Sequence, residues 1–267
     1  MTSTESSTNS SKNLLPAPSH TRLVTIIAHV DHGKTTLADN LLCANNIISE
    51  NLAGTIRFLD SSHDEQRRGI TMKGKAIALK HKPKTKNKKK SLEENDAYVI
   101  HLIDSPGHVD FSVEVTTSLL ACDGALLVID VVEGMCARTH AVMREAYVNG
   151  LVPILVINKI DKLCVDLGLS SNEAYIRIRN LIESVNGASA AMVLRADNEN
   201  GDDMKNLEYE QEIWNFDPVK GNVLFVSAYY GWGFSIPSLA KALFQSKYVP
   251  IKPMVMKQYL FGKEIDP

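Results

Sequence analysis

The chain has 267 residues, with 29 basic and 31 acidic side chains, a formal net charge of −2, 44% hydrophobic and 22% charged residues. That balance is ordinary for a globular chain, and the length suits one large α/β domain or two small ones. It excludes a chain that is basic throughout, and with no long uncharged apolar run no membrane partner is expected.

Residues 2–13 hold eight Ser or Thr and almost nothing apolar. Such a segment cannot bury enough surface to offset its ordering entropy, so about the first 20 residues read as a disordered tail. There is no apolar h-region for a secretory signal, and the first Arg is Arg22, which argues against a transit peptide. A cytoplasmic protein is expected.

Beyond the tail, short apolar runs alternate with helical patterns. Leu23–Ala28 reads as a strand and Thr36–Ala44 as a helix. Residues 74–80 and Tyr98–Ile103 read as the arms of a hairpin with a Lys-rich tip over 80–96. Residues 80–90 alone carry seven Lys and one His, a solvated loop that could also meet nucleic-acid phosphates. Phe111–Cys122 is a helix and Ala125–Val132 a strand. Arg138–Asn149 is a helix stopped by Gly150, and Pro153–Ile157 is a strand.

Ser171–Asn186 places Tyr175, Ile178, Leu181, Ile182 and Val185 on one face, with Ser170 and Glu173 as a capping box and Gly187 as the stop. Residues 187–222 read as an insertion. Its stretch 197–212, with seven acidic residues against one Lys, is expected to be solvated loop. Val223–Val226 is the last strand. This alternation predicts an α/β fold with a mostly parallel, doubly wound sheet, right-handed crossovers and an insertion before the last strand. The domain spans 21–246, and 247–267 reads as the start of a linker. The four cysteines, Cys43, Cys122, Cys136 and Cys164, contain no Cys-x-x-Cys pair, which argues against a zinc site and for reduced thiols.

Three boxes sit at predicted strand ends. Ala28-His-Val-Asp-His-Gly-Lys-Thr35 fits the phosphate-loop spacing, with Ala28 in place of the first Gly. Gly33 would let the backbone approach phosphate, Lys34 would reach the β- and γ-phosphates, and Thr35 would ligate Mg²⁺. Asp104-Ser-Pro-Gly-His108 follows a strand. Asp104 there could hold Mg²⁺, and Gly107 could offer its N–H to the γ-phosphate. Asn158-Lys-Ile-Asp161 follows another strand. The Asp161 carboxylate can accept from guanine N1–H and the exocyclic amine, which adenine does not offer. Each box alone has a mundane rival, a turn or a chance match; in this order on one sheet edge they identify a P-loop GTPase.

With Arg68-Gly-Ile-Thr71 and Ser227-Ala228, these boxes resemble the translational GTPases. Residues 47–73, 104–115 and 221–234 are similar to the elongation factor 2 branch, and most similar to its elongation factor-like members that act in large-subunit assembly. The resemblance implies nucleotide contacts from His29, Val30, Asp31, His32, Gly33, Lys34, Thr35, Thr36, Asp104, Asn158, Lys159, Asp161, Ser227 and Ala228. It implies Mg²⁺ ligation by Thr35, Thr71 and Asp104, and catalytic roles for His108, Lys34, Thr71 and Gly107. His108 would orient the attacking water beside an apolar gate of Val30 and Ile70; the last two could equally be core residues. His32 has the ordinary reading of a structural histidine, and Glu133, Arg138 and His140 read as surface or packing residues.

GTP as substrate, Mg²⁺ as cofactor, the large ribosomal subunit with its rRNA, an assembly partner protein and a monomeric state follow as expectations. The alternatives are a translocating elongation factor 2, or a GTP-binding interaction module without useful turnover because downstream domains are missing.

Overall fold

A computed structural model describes residues 18–49, 51, 54, 57–60, 63–68, 71, 74–82, 97–106, 112–200, 204–246 and 252–261. Seven strands form one sheet: β1 (Thr21–Ala28), β2 (Lys75–His81), β3 (Tyr98–Asp104), β4 (Gly124–Asp130), β5 (Val152–Asn158), β6 (Val223–Ser227) and β7 (Trp232–Phe234). Their order is β2-β3-β1-β4-β5-β6-β7. The pairs β3–β1, β1–β4, β4–β5 and β5–β6 are parallel; β2–β3 and β6–β7 are antiparallel. The mostly parallel sheet is the predicted one. The difference lies at its end, because the last strand is β7, which turns back from β6 after the Gly231 bend.

The strand runs are apolar on both sides because both sides are covered. In β4, Ala125, Leu127 and Ile129 enter one core, while Val128, pointing the opposite way, enters the other. On the first face lie α3 (Ser112–Leu120), α4 (Ala137–Val148), α6 (Ser171–Asn200) and α8 (Ile236–Gln245), with Phe261 of α9 (Pro253–Phe261) at the margin. The second face is covered by α1 (Lys34–Ala44) through Leu37, Ala38 and Leu42. Two shorter helices are α2 (His63–Arg68) and α5 (Asp161–Val165), and a 3-10 turn over Pro18–His20 precedes β1. The rest of the expected tail, the Lys-rich tip beyond Lys82 and the linker at 247–251 and 262–267 lie outside the described residues.

Two expectations about the segment before β6 are overturned. The sixth helix does not stop at Gly187 but continues to Asn200. Gly187 lacks the positive φ of a left-handed stop, unlike Gly150 at 69° after α4. The residues that follow it, Ala188, Ser189, Ala190, Ala191 and Met192, sustain helix. Val193 is buried on that extension, which stabilises it by about 1.5–3 kcal/mol.

The acidic stretch is likewise not all loop. Its second half forms α7 (Met204–Ile213), whose Leu207 and Ile213 pack on the first core. The acidic residues there, Glu208, Glu210 and Glu212, are good helix formers. The Tyr147 hydroxyl donates to Glu210. Asn186 closes the layer by exchanging two hydrogen bonds with the Phe216 backbone (2.8 and 2.9 Å). The Ser189 hydroxyl donates to the Trp214 carbonyl at 2.7 Å. The predicted start of α6 holds: the Ser170 N–H donates to Glu173 Oε2 at 2.9 Å.

Candidate functional site: a nucleotide cleft on the carboxyl edge of the sheet

Because β1 carries β3 on one side and β4 on the other, the strand order turns at β1, and a crevice opens beyond its carboxyl end. A cleft of about 580 Å³ lies there. Its walls come from the β1–α1 loop, Thr71, the β5–α5 junction and the turn after β6.

The β1–α1 loop is shaped for an anion. Asp31 and Gly33 both have positive φ, 61° and 88°, so the chain turns sharply before α1 begins at Lys34. The α1 N–H groups therefore face the cleft without a side-chain cap. Lys34 is largely buried, with Nζ 3.3 Å from Asp104 Oδ1. Asp104 has no exposure; burial raises its carboxyl above the ordinary range, and the Lys34 ammonium and the Thr35 hydroxyl oppose that shift. The Thr35 and Thr71 hydroxyls stand 3.2 Å apart. Two hydroxyls and a buried carboxylate are hard oxygen donors, which fits Mg²⁺.

At the other end of the cleft, Asn158 is a strut. Its Nδ2 donates to the His32 carbonyl at 2.9 Å, and its Oδ1 accepts from the Ala228 N–H at 2.9 Å. Lys159 has φ 61°, and its ammonium meets the Asp31 carbonyl and Asp130 Oδ2, both at 2.6 Å. Asp161 lines the cleft, and its Oδ1 is buried with no hydrogen-bond partner among the described residues. A buried carboxylate oxygen without a donor is costly, and a ligand N–H would satisfy it.

Of the predicted site residues, His29, Val30, Asp31, Gly33, Lys34, Thr35, Thr36, Thr71, Asn158, Lys159, Asp161 and Ala228 line this cleft. Asp104 lies beneath it, behind Lys34. Ser227 is buried beside it, its hydroxyl accepting from the Tyr230 N–H at 3.4 Å. The His32 side chain is turned away and fully buried, with Nδ1 facing the Val128 carbonyl at 3.3 Å and Nε2 facing Glu133 Oε2 at 3.2 Å. Burial holds it below the ordinary imidazole value. Only its backbone, through Asn158, serves the cleft.

Gly107, His108 and Ile70 lie outside the described residues, so the water-orienting role and the Val30–Ile70 gate are not visible. Glu133 is exposed and meets His32, within the surface or packing role expected of it; Arg138 faces Glu145 at 3.9 Å and His140 is exposed.

Sequence reasoning missed Asp130, which clamps Lys159. Its position at the end of β4, on the same edge as the boxes, was the available signal. It also missed Tyr229 and Tyr230, packed edge to face at 5.0 Å on the rim, which follow the Ser227-Ala228 box directly.

The chain is similar to elongation factor-like GTPase 1 of Homo sapiens, at 42% identity over 90% of this chain and 22% of the relative. It is similar to ribosome assembly protein 1 of Schizosaccharomyces pombe, at 44% over 90% of this chain and 24% of the relative. It is also similar to elongation factor 2 of Methanococcoides methylutens, at 40% over 85% of this chain and 28% of the relative. It thus spans about a quarter of the length of the curated relatives it matches. Residues 19–250 match the elongation factor Tu GTP binding domain. That match runs through every loop of the cleft, and the chain belongs to the family of elongation factor Tu GTP binding domains.

Proposed function

We propose that the chain is the GTP-hydrolysing domain of a ribosome-associated factor in large-subunit biogenesis, where the nucleotide cycle drives release of an anti-association factor. The observation that carries this reading is its 42–44% identity, over 90% of its length, to relatives named elongation factor-like GTPase 1 and ribosome assembly protein 1. The 40% identity to elongation factor 2 supports translocation as the second reading.

In this reading Asp161 accepts from the guanine edge, and the α1 N–H groups and Lys34 hold the phosphates. Thr35, Thr71 and Asp104 hold Mg²⁺, which when bound neutralises phosphate charge. His108 orients water in line with the leaving oxygen. The sequence boxes assign no catalytic Arg, and Arg57, which lines the cleft, is held by Asp60 at 2.6 Å; intrinsic turnover is slow and rises when the large subunit sets His108 in place. The Lys-rich tip meets rRNA phosphate, an assembly protein shares the particle, and the factor works as a cytoplasmic monomer. Among the described residues no helix is long and apolar enough to cross a membrane.

The test is GTP turnover by the full-length factor with large subunits that carry the anti-association factor and with mature subunits. Stimulation and release on the first alone support biogenesis. Equal stimulation on both, with tRNA movement, supports translocation.

A further inference from the structure

A second constellation lies where the β1–α1 loop meets the loop between β4 and α4. His29 and His32 come from the first, Glu133 and Cys136 from the second. Ligand atoms of His29, Glu133 and Cys136 all lie within 4.8 Å of one another. His32 Nε2 is 3.2 Å from Glu133 Oε2 and 3.8 Å from Cys136 Sγ. The His29 and His32 rings meet edge to face, with centroids 5.2 Å apart.

Zinc binds nitrogen at about 2.0–2.1 Å and sulfur at about 2.3 Å, so ligand atoms around a tetrahedral ion stand roughly 3.3–3.8 Å apart. The two distances from His32 lie at or close to that spacing, and the ligand atoms of His29, Glu133 and Cys136, within 4.8 Å of one another, would draw together around an ion. The tautomer agrees. The Val128 carbonyl, 3.3 Å from His32 Nδ1, can only accept, so Nδ1 carries a proton. The Glu133 carboxylate, 3.2 Å from Nε2, is also an acceptor, so a cation between them would take the place of a second ring proton and use the Nε2 lone pair. A ring N–H held by a backbone carbonyl is the usual outer support of a metal-bound histidine. His29 adds a buried Nδ1 with no hydrogen-bond partner among the described residues.

We propose that His29, His32, Glu133 and Cys136 form a site for a borderline-soft divalent cation, zinc, that pins the entrance of the phosphate loop to the β4–α4 loop. The donor set of imidazole, thiolate and carboxylate discriminates against the Mg²⁺ of the nucleotide site, which prefers oxygen alone. Spacing of cysteines could not reveal such a site, because the ligands come in two pairs about a hundred residues apart with a single sulfur.

The test titrates the tag-free, chelator-stripped chain with Co²⁺ as a spectroscopic stand-in for Zn²⁺, in excess Mg²⁺. The expected result is a thiolate-to-cobalt charge-transfer band with strong visible bands, saturating at one ion per chain and displaced by Zn²⁺. It is lost in Cys136→Ser and kept in Cys43→Ser. A wild-type protein without the thiolate band overturns the proposal, as does a band that survives in Cys136→Ser. Should Cys136→Ser fail to fold, X-ray absorption on the zinc-loaded wild type decides. One sulfur among nitrogen and oxygen neighbours is expected, and a shell with no sulfur, or with two, overturns the site.

Discussion

A Cβ added to Gly33 would sit 2.4 Å from Asn158 Nδ2, on a backbone whose φ is 88°. The two residues are over a hundred positions apart in the chain, yet each fixes what the other can be. Gly33 is bare so that Asn158 can cross the loop to the His32 carbonyl. Gly33→Ala should therefore cost both the left-handed strain, about 1–2 kcal/mol, and the Asn158 bond. Guanine nucleotide affinity is expected to fall at least tenfold in a fluorescent-nucleotide titration.

Asn158→Ala removes the strut from the other side and leaves the buried His32 carbonyl and Ala228 N–H without partners. At about 1–3 kcal/mol for each unsatisfied group, calorimetry should record a clear drop in Tm, alongside weaker GTP binding. An unchanged Tm would show that the loops are held by something else.

Asp161→Asn exchanges an acceptor for a donor where the buried Oδ1 awaits one. The bond from the exocyclic amine is lost to a donor facing a donor, and the bond from N1–H loses its charge, together about 3 kcal/mol or roughly 100-fold in affinity. Xanthosine triphosphate, whose base presents a carbonyl at that edge, should gain on GTP. Competition binding with the two nucleotides reads the inversion, and a retained guanine preference would remove Asp161 from base selection.

His108→Ala should keep GTP affinity and lower subunit-stimulated hydrolysis at least about 100-fold, as expected for a residue that positions the reacting water. Single-turnover phosphate release on large subunits measures it, and undiminished release would assign the water to another group.

Gly187→Ala addresses the helix that runs on. Nothing lies within 4 Å of the added Cβ, and the glycine is helical rather than left-handed. The substitution should stabilise by about 0.5–1 kcal/mol, or roughly 2 °C in Tm. Had Gly187 ended the helix, the same change would destabilise.

That contrast locates what the sequence could tell. The strands were legible because each is a short apolar run bounded by turns, and Gly150 marked a true stop with its left-handed backbone. Gly187 has the same local spelling, and only the core beneath it, with Val193 and Trp214, decides that the helix continues. The acidic stretch misled for a similar reason: charge alone hides Leu207 and Ile213, whose burial appears only once the first face exists. Within the site, Lys34, Thr35 and Asp161 act through local boxes and were readable. The clamp of Lys159 by Asp130 and the meeting of His32 with Glu133 and Cys136 join distant loops, which no spacing rule reaches.

The sheet also ends with restraint at both margins. At one lies β2, carrying Lys75 and Lys80, with Lys75 held by the buried Glu65 at 2.7 Å. At the other lies β7, three residues long with Gly233 at its middle. A charged margin and a very short one are poor templates for a strand from another molecule. The domain is thus protected against fibril-like self-recruitment, and concentrated preparations should stay free of thioflavin-positive aggregates while the fold is intact.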